Sequence, residues 1–187
     1  RFLNPLDDCN QNLVPDKCEP TEACCQMDKT CIELIAECCT DQNGTPEGVG
    51  SECSMTLEAC CLPNSTCLDL DPLCCADLSG VPEGPGTVCS PIQGCCLPDG
   101  SCADLDPLCC EDLGGTPEGS GTACTELQGC CLPDGSCIDI DPLCCEDRGG
   151  TPEGTGTVCT AAQACCLPDG SCANLDPLCC LDRKGTS

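Results

Sequence analysis

Cysteine is the residue type in this chain with most chemistry to offer. It accounts for 31 of 187 residues, beside no His, no Trp, no Tyr and one aromatic residue, Phe2. Sulfur at this density can cross-link a chain, hold a soft metal, or attack an electrophile. Nucleophilic use needs a neighbouring base, usually His, and the chain has none. Cross-linking and metal binding are left.

The spacing is periodic. Double cysteines begin at Cys24, Cys60, Cys95, Cys130 and Cys165, in steps of 36, 35, 35 and 35. The copy from Cys95 to Gly129 differs from that at Cys130 to Ala164 at only 8 of 35 positions. The copy at Cys24 has drifted furthest. A repeat of this length is a small supersecondary unit that relies on its neighbours.

A unit framed from the single cysteine reads C-x5-6-CC-x5-C-x6-CC. Five units then hold Cys18, Cys24, Cys25, Cys31, Cys38 and Cys39; Cys53, Cys60, Cys61, Cys67, Cys74 and Cys75; Cys89, Cys95, Cys96, Cys102, Cys109 and Cys110; Cys124, Cys130, Cys131, Cys137, Cys144 and Cys145; and Cys159, Cys165, Cys166, Cys172, Cys179 and Cys180. These are expected to be disulfide cysteines, with pairing left open because six permit about 15 connectivities. Adjacent cysteines in an extended segment point to opposite sides, so a double Cys can tie one strand to two neighbours, the next repeat among them. The leftover, Cys9, is the candidate for an interchain disulfide. The same framing divides the chain into residues 1–17, a degenerate partial repeat, and repeats at 18–52, 53–88, 89–123, 124–158 and 159–187.

The metal alternative is metallothionein-like storage of Zn or Cu(I) by thiolates. The chain has no C-x-C or C-x2-C and carries firm turn and cap signals, which favour disulfides and an oxidising compartment. A secreted or cell-surface protein is expected. No apolar run reaches membrane-spanning length.

The elements that must position these cysteines are short. In the copy at Cys95, Leu97-Pro98-Asp99-Gly100 carries turn chemistry between two cysteine-bearing segments, which predicts a hairpin. Asp106-Pro107 through Leu113-Gly114 reads as a capped helix of one to two turns. Thr116–Thr122 reads as a Gly/Pro linker. The expected fold class is small disulfide-rich tandem repeats, mostly irregular, in an elongated rod-like array. Leu3–Cys9 echoes Leu105–Glu111, with Asp7-Asp8 where the double Cys would stand. Each disulfide contributes about 2–4 kcal/mol, so isolated units should be marginal and neighbour contacts should matter.

CCLPDGSC with a short helical segment and a Gly-Gly-Thr connector resembles Cys-rich tandem repeats of secreted and surface proteins of environmental microbes, planctomycete-type bacteria among them. The resemblance covers Cys24 to Cys180 and implies no catalytic residues. Many such repeats have one Cys where this chain has Cys109-Cys110, and an aromatic near Pro117.

Formal net charge is −26. It repels nucleic acid and anionic membrane surfaces. Calcium or other cations are candidate partners for the carboxylates, with Ca²⁺ placed at Asp99, Asp104 and Asp106 or at Asp134, Asp139 and Asp141; their spacing is not that of an EF-hand. Asn43-Gly44-Thr45 and Asn64-Ser65-Thr66 are N-glycosylation sequons, which makes Asn43 and Asn64 candidate glycan sites. With no His, no phosphate-binding loop and no nucleophile elbow, no enzyme is expected. Self-association into a filament or homo-oligomer is expected, as a structural subunit; a secreted binding module is the alternative.

Overall fold

The computed structural model describes residues 8–186. The echo at residues 3–7 lies outside them. The chain forms two compact units, Arg1–Ser90 and Pro91–Ser187. The first holds repeats 1 and 2 with Cys89 and Ser90, and the second holds the remainder of repeat 3 with repeats 4 and 5.

Repeats 1 to 4 share one plan of strand, strand, helix, strand, and repeat 5 has the first three of these elements. Repeat 1 has β1 (Glu22–Cys25), β2 (Cys31–Leu34), α1 (Ala36–Asp41) and β3 (Thr45–Pro46). Repeat 2 has β4 (Glu58–Cys61), β5 (Cys67–Leu70), α2 (Pro72–Asp77) and β6 (Val81–Pro82). Repeat 3 has β7 (Gln93–Cys96), β8 (Cys102–Leu105), α3 (Pro107–Asp112) and β9 (Thr116–Pro117). Repeat 4 has β10 (Gln128–Cys131), β11 (Cys137–Ile140), α4 (Pro142–Asp147) and β12 (Thr151–Pro152). Repeat 5 has β13 (Gln163–Cys166), β14 (Cys172–Leu175) and α5 (Pro177–Asp182).

The first strand lies in the middle of each sheet, antiparallel to both partners, in the order β2-β1-β3 in repeat 1. Repeat 5 has a two-stranded sheet, with a bridge from Cys166 to Thr186 where a third strand would lie. The third strand is the element that residue types concealed. Thr116-Pro117 reads as linker because Pro lacks an N–H, yet Pro is admissible at a sheet edge, and there it faces Cys95.

The hairpin follows from its turn. Gly100 N–H donates to the Leu97 carbonyl, the Asp99 carboxylate accepts from the Ser101 N–H, and Gly100 sits at φ +95°. Proline presets the first turn residue and Gly takes the left-handed one. Register follows: Cys96 stands opposite Cys102, and Gln93 opposite Leu105.

The helices are six residues long. Asp106 Oδ1 accepts the Leu108 N–H at 2.9 Å, with Pro107 in the first turn. Asp71, Asp141 and Asp176 cap α2, α4 and α5 in the same way. In repeats 2, 3 and 5 the buried cluster is a disulfide with one aliphatic side chain, flanked by two partly buried apolar residues. Cys95 and Cys110 pack with Leu105; Cys60 and Cys75 pack with Leu70. With so little apolar area to bury, the cross-link replaces the large side chains that fill an ordinary core.

Candidate functional site

The alternation of a strand sends the two halves of each double Cys to different places. Cys95 bonds to Cys110 in the helix of its own repeat. Cys96 bonds to Cys144 in the helix of the next repeat. The other repeats follow: Cys24–Cys39, Cys60–Cys75, Cys130–Cys145 and Cys165–Cys180 close single repeats. Cys25–Cys74 and Cys131–Cys179 join neighbours. A second tie runs from β2, β5, β8 or β11 to the cysteine that opens the following repeat: Cys31–Cys53, Cys67–Cys89, Cys102–Cys124 and Cys137–Cys159. Cys61 and Cys109 are disulfide-bonded too.

The junction of repeats 4 and 5 shows what surrounds these ties. Helix α5 packs on β10. A Cβ placed at Gly129 would fall 2.8 Å from Leu178 Cδ1, so glycine there admits the incoming leucine. Arg183 donates to the Pro133 carbonyl at 2.7 Å. Asp139 Oδ1 accepts the Cys159 N–H at 2.7 Å, which pins the segment that carries the second tie. Asp176 caps α5 with one oxygen and accepts the Thr160 N–H with the other. Asp141 serves likewise for Thr125 and is fully buried.

The six aspartates offered for Ca²⁺ thus have three separate tasks. Asp99 and Asp134 are turn acceptors, and their hydrogen bonds from Ser101 and Ser136 hold the carboxyls below the usual range. Asp104 and Asp139 accept backbone N–H groups of Cys124 and Cys159. Asp106 and Asp141 are helix caps. Asn43 and Asn64 are exposed, Asn43 after α1 at φ +58° and Asn64 in the turn of repeat 2.

Cys9 requires a correction. It bonds to Cys38 within the chain and is no interchain thiol here. Cys38 stands in α1 where Cys74, Cys144 and Cys179 stand in later helices, and each of those takes a cysteine from the preceding repeat. Cys9 fills that role. Three cysteines expected in disulfides are instead free and exposed: Cys18, Cys166 and Cys172. Their counterparts bond 22 residues back, 48 residues on and 22 residues on. Those offsets fall outside the 187 residues.

Cys166 and Cys172 lie opposite one another on β13 and β14, with sulfurs 3.3 Å apart. Hydrogen bonding to Cys166 pushes the Cys172 thiol up from its ordinary value. Strand β13 itself is largely exposed, whereas β7 and β10 are buried throughout. Parity predicted one unpaired cysteine; only the fold reveals three, because it shows which cysteines serve the neighbour.

No family model, curated protein or solved structure matches the chain.

Proposed function

We propose that this protein is a structural component of the extracellular space, a subunit of a fibre or surface appendage that assembles head to tail. The observation that carries this reading is the double covalent tie between successive repeats. Within the second unit, repeats 3 and 4 are joined by Cys96–Cys144 and Cys102–Cys124, and repeats 4 and 5 by Cys131–Cys179 and Cys137–Cys159. Tension on one repeat therefore reaches the next through S–S bonds rather than through a small apolar contact. Such a chain resists unfolding by force and proteolysis without a large core.

Disulfides in this number fit an oxidising compartment. Among the described residues no helix is long and apolar enough to cross a membrane. Exposed Asn43 and Asn64 fit surface glycans. Metal storage would need the bonded sulfurs as thiolates. A binding module would need diversified turns, whereas Leu-Pro-Asp-Gly recurs at Leu97, Leu132 and Leu167. The repeated plan suits a scaffold without catalysis.

Electron microscopy of material purified without reductant tests the proposal. Filaments are the expected result; dispersed single particles at high protein concentration would overturn it.

A further inference from the structure

We infer that the paired ties between successive repeats form a redox latch, in which reduction of the outer disulfide opens the inner one by internal thiol–disulfide exchange. The latch lies inside one chain and does not depend on assembly into a fibre.

The observation that carries it is how close the two ties lie. Between repeats 3 and 4, the sulfurs of Cys96, Cys102 and Cys144 are all within 4.8 Å of one another. Cys96 and Cys144 are bonded together, whereas Cys102 is bonded to Cys124. A sulfur of one tie therefore stands against both sulfurs of the other. The same cluster recurs as Cys25, Cys31 and Cys74 between repeats 1 and 2, and as Cys131, Cys137 and Cys179 between repeats 4 and 5. The bonding there is the same. The two ties differ in access. Cys96 and Cys144 keep only 5% and 1% of their surface exposed, while Cys102 and Cys124 are half-buried. Half-buried Cys31–Cys53 and Cys137–Cys159 stand beside buried Cys25–Cys74 and Cys131–Cys179 in the same way. A soluble reductant meets the outer tie first.

The hairpin is already shaped for the bond that replaces them. The Leu97 N–H donates to the Ser101 carbonyl at 2.9 Å. The next pair outward, Cys96 opposite Cys102, is then the one without ladder hydrogen bonds. The Cα atoms of such pairs approach to about 4.5 Å, inside the range that a disulfide spans. A Cys96–Cys102 bond thus closes without shifting the strands. It also closes a far shorter loop than Cys96–Cys144, whose partners lie 48 residues apart, and a shorter loop costs less chain entropy. While the outer tie is intact, Cys102 is committed to Cys124 and the inner tie stands.

Opening takes one external reduction and one internal exchange. A dithiol, small or carried by an oxidoreductase, gives two electrons and two protons to Cys102–Cys124 and leaves as its own disulfide; Cys102 and Cys124 become thiols. The Cys102 thiolate then attacks Cys96 Sγ. The Cys96–Cys144 bond breaks as Cys96–Cys102 forms, and Cys144 leaves as a thiolate that takes up the proton Cys102 gave up. This second step consumes no reductant. Both ties of the junction are now gone, and α4 rests on β7 by non-covalent contact alone.

The test is limited reduction of the full chain with sub-stoichiometric dithiothreitol, followed by rapid alkylation and mapping of the disulfide peptides. The expected result is a Cys96–Cys102 linkage with Cys124 and Cys144 alkylated in equal amounts. Cys102 and Cys124 alkylated together beside an intact Cys96–Cys144 overturn the inference, as does a Cys102–Cys144 linkage. Cys124→Ser frees Cys102 without any reductant, so this variant should carry Cys96–Cys102 with Cys144 alkylatable; retention of Cys96–Cys144 beside an alkylatable Cys102 counts against the latch. Cys102→Ser/Cys124→Ser removes the outer tie and the attacking sulfur together. In it Cys96–Cys144 should survive the same dose of dithiothreitol. Its loss there would mean that the outer tie only shields the inner one, and the exchange would be wrong. None of these outcomes bears on whether the chain forms filaments, which electron microscopy decides separately.

Discussion

Repeats 1 and 4 have the same sheet and the same internal disulfide, yet they share few of the residues that shape them locally. Repeat 4 turns through Leu132-Pro133-Asp134-Gly135; repeat 1 turns through Gln26-Met27-Asp28-Lys29. Lys29 sits at φ +72°, where Gly135 sits at φ +94°. Asp141 caps α4 with its side chain, while Ile35 before α1 makes no such bond and is buried as an apolar group instead. What both keep is the bond from first strand to helix, Cys24–Cys39 or Cys130–Cys145, and the glycine against it. Local signals can be lost when a cross-link and a neighbouring repeat hold the same geometry. The space beside the cross-link cannot.

The largest expected effect is therefore shared by both repeats. A Cβ at Gly150 would lie 2.7 Å from Cys130 Sγ and 3.0 Å from Cys145 Sγ; at Gly44 it would lie 2.6 Å from Cys24 Sγ and 2.9 Å from Cys39 Sγ. Gly150→Val and Gly44→Val should each cost about 3 kcal/mol or more, the worth of the bond they obstruct. Thiol titration with chemical denaturation checks this. A large loss at Gly150 with none at Gly44 would break the comparison.

Asp141→Ala should cost about 2 kcal/mol, because it removes a cap and leaves the Leu143 and Thr125 N–H groups without their acceptor. Ile35→Ala in repeat 1 should cost about 2–3 kcal/mol for a different reason, lost apolar burial and a cavity. Asp141→Asn separates the two, since it keeps an acceptor for the cap. Urea unfolding should show it milder than Asp141→Ala.

A smaller gain is expected in the drifted turn. Lys29→Gly should stabilise by about 0.5–1 kcal/mol, by relieving a side chain at positive φ. The same change at Ser65, at φ +64° in repeat 2, should act alike. Thermal melting reads both; no gain at either site would show that the neighbouring repeat already absorbs the strain.

The smallest effect is electrostatic. Burial, followed by the charges of Asp147, Glu146 and Asp141, pushes the Glu118 carboxyl up from its ordinary value; Glu47 and Glu153 are raised similarly. A raised acid favours the folded state fully below its unfolded pKa, and that contribution is lost as pH rises through the folded value. Glu118→Gln should match the parent below the ordinary glutamate range and become slightly more stable above it. Melting curves from pH 3 to 7, with about one degree of precision, would register the crossover or its absence.

Much of each repeat was legible because its signals are local. Pro98, Asp99 and Gly100 announce a turn, and Asp106-Pro107 with Gly114 announce the two ends of a helix, since each acts on backbone within a few residues. The third strand was not legible. Thr116-Pro117 pairs with Cys95-Cys96 across some twenty residues, a partnership that no local preference encodes. The tasks of Asp104 and Asp139 escaped for the same reason, because their partners at Cys124 and Cys159 lie 20 residues away.

By itself, the sequence determined the repeat, the turns, the caps and the need for cross-links, because composition and short-range backbone chemistry suffice for these. Tertiary structure alone decided which sulfur meets which. A disulfide needs Cα atoms within about 7 Å, and that proximity is set by how one helix seats on the preceding strand. It closed Cys9 on Cys38 and left Cys18, Cys166 and Cys172 open.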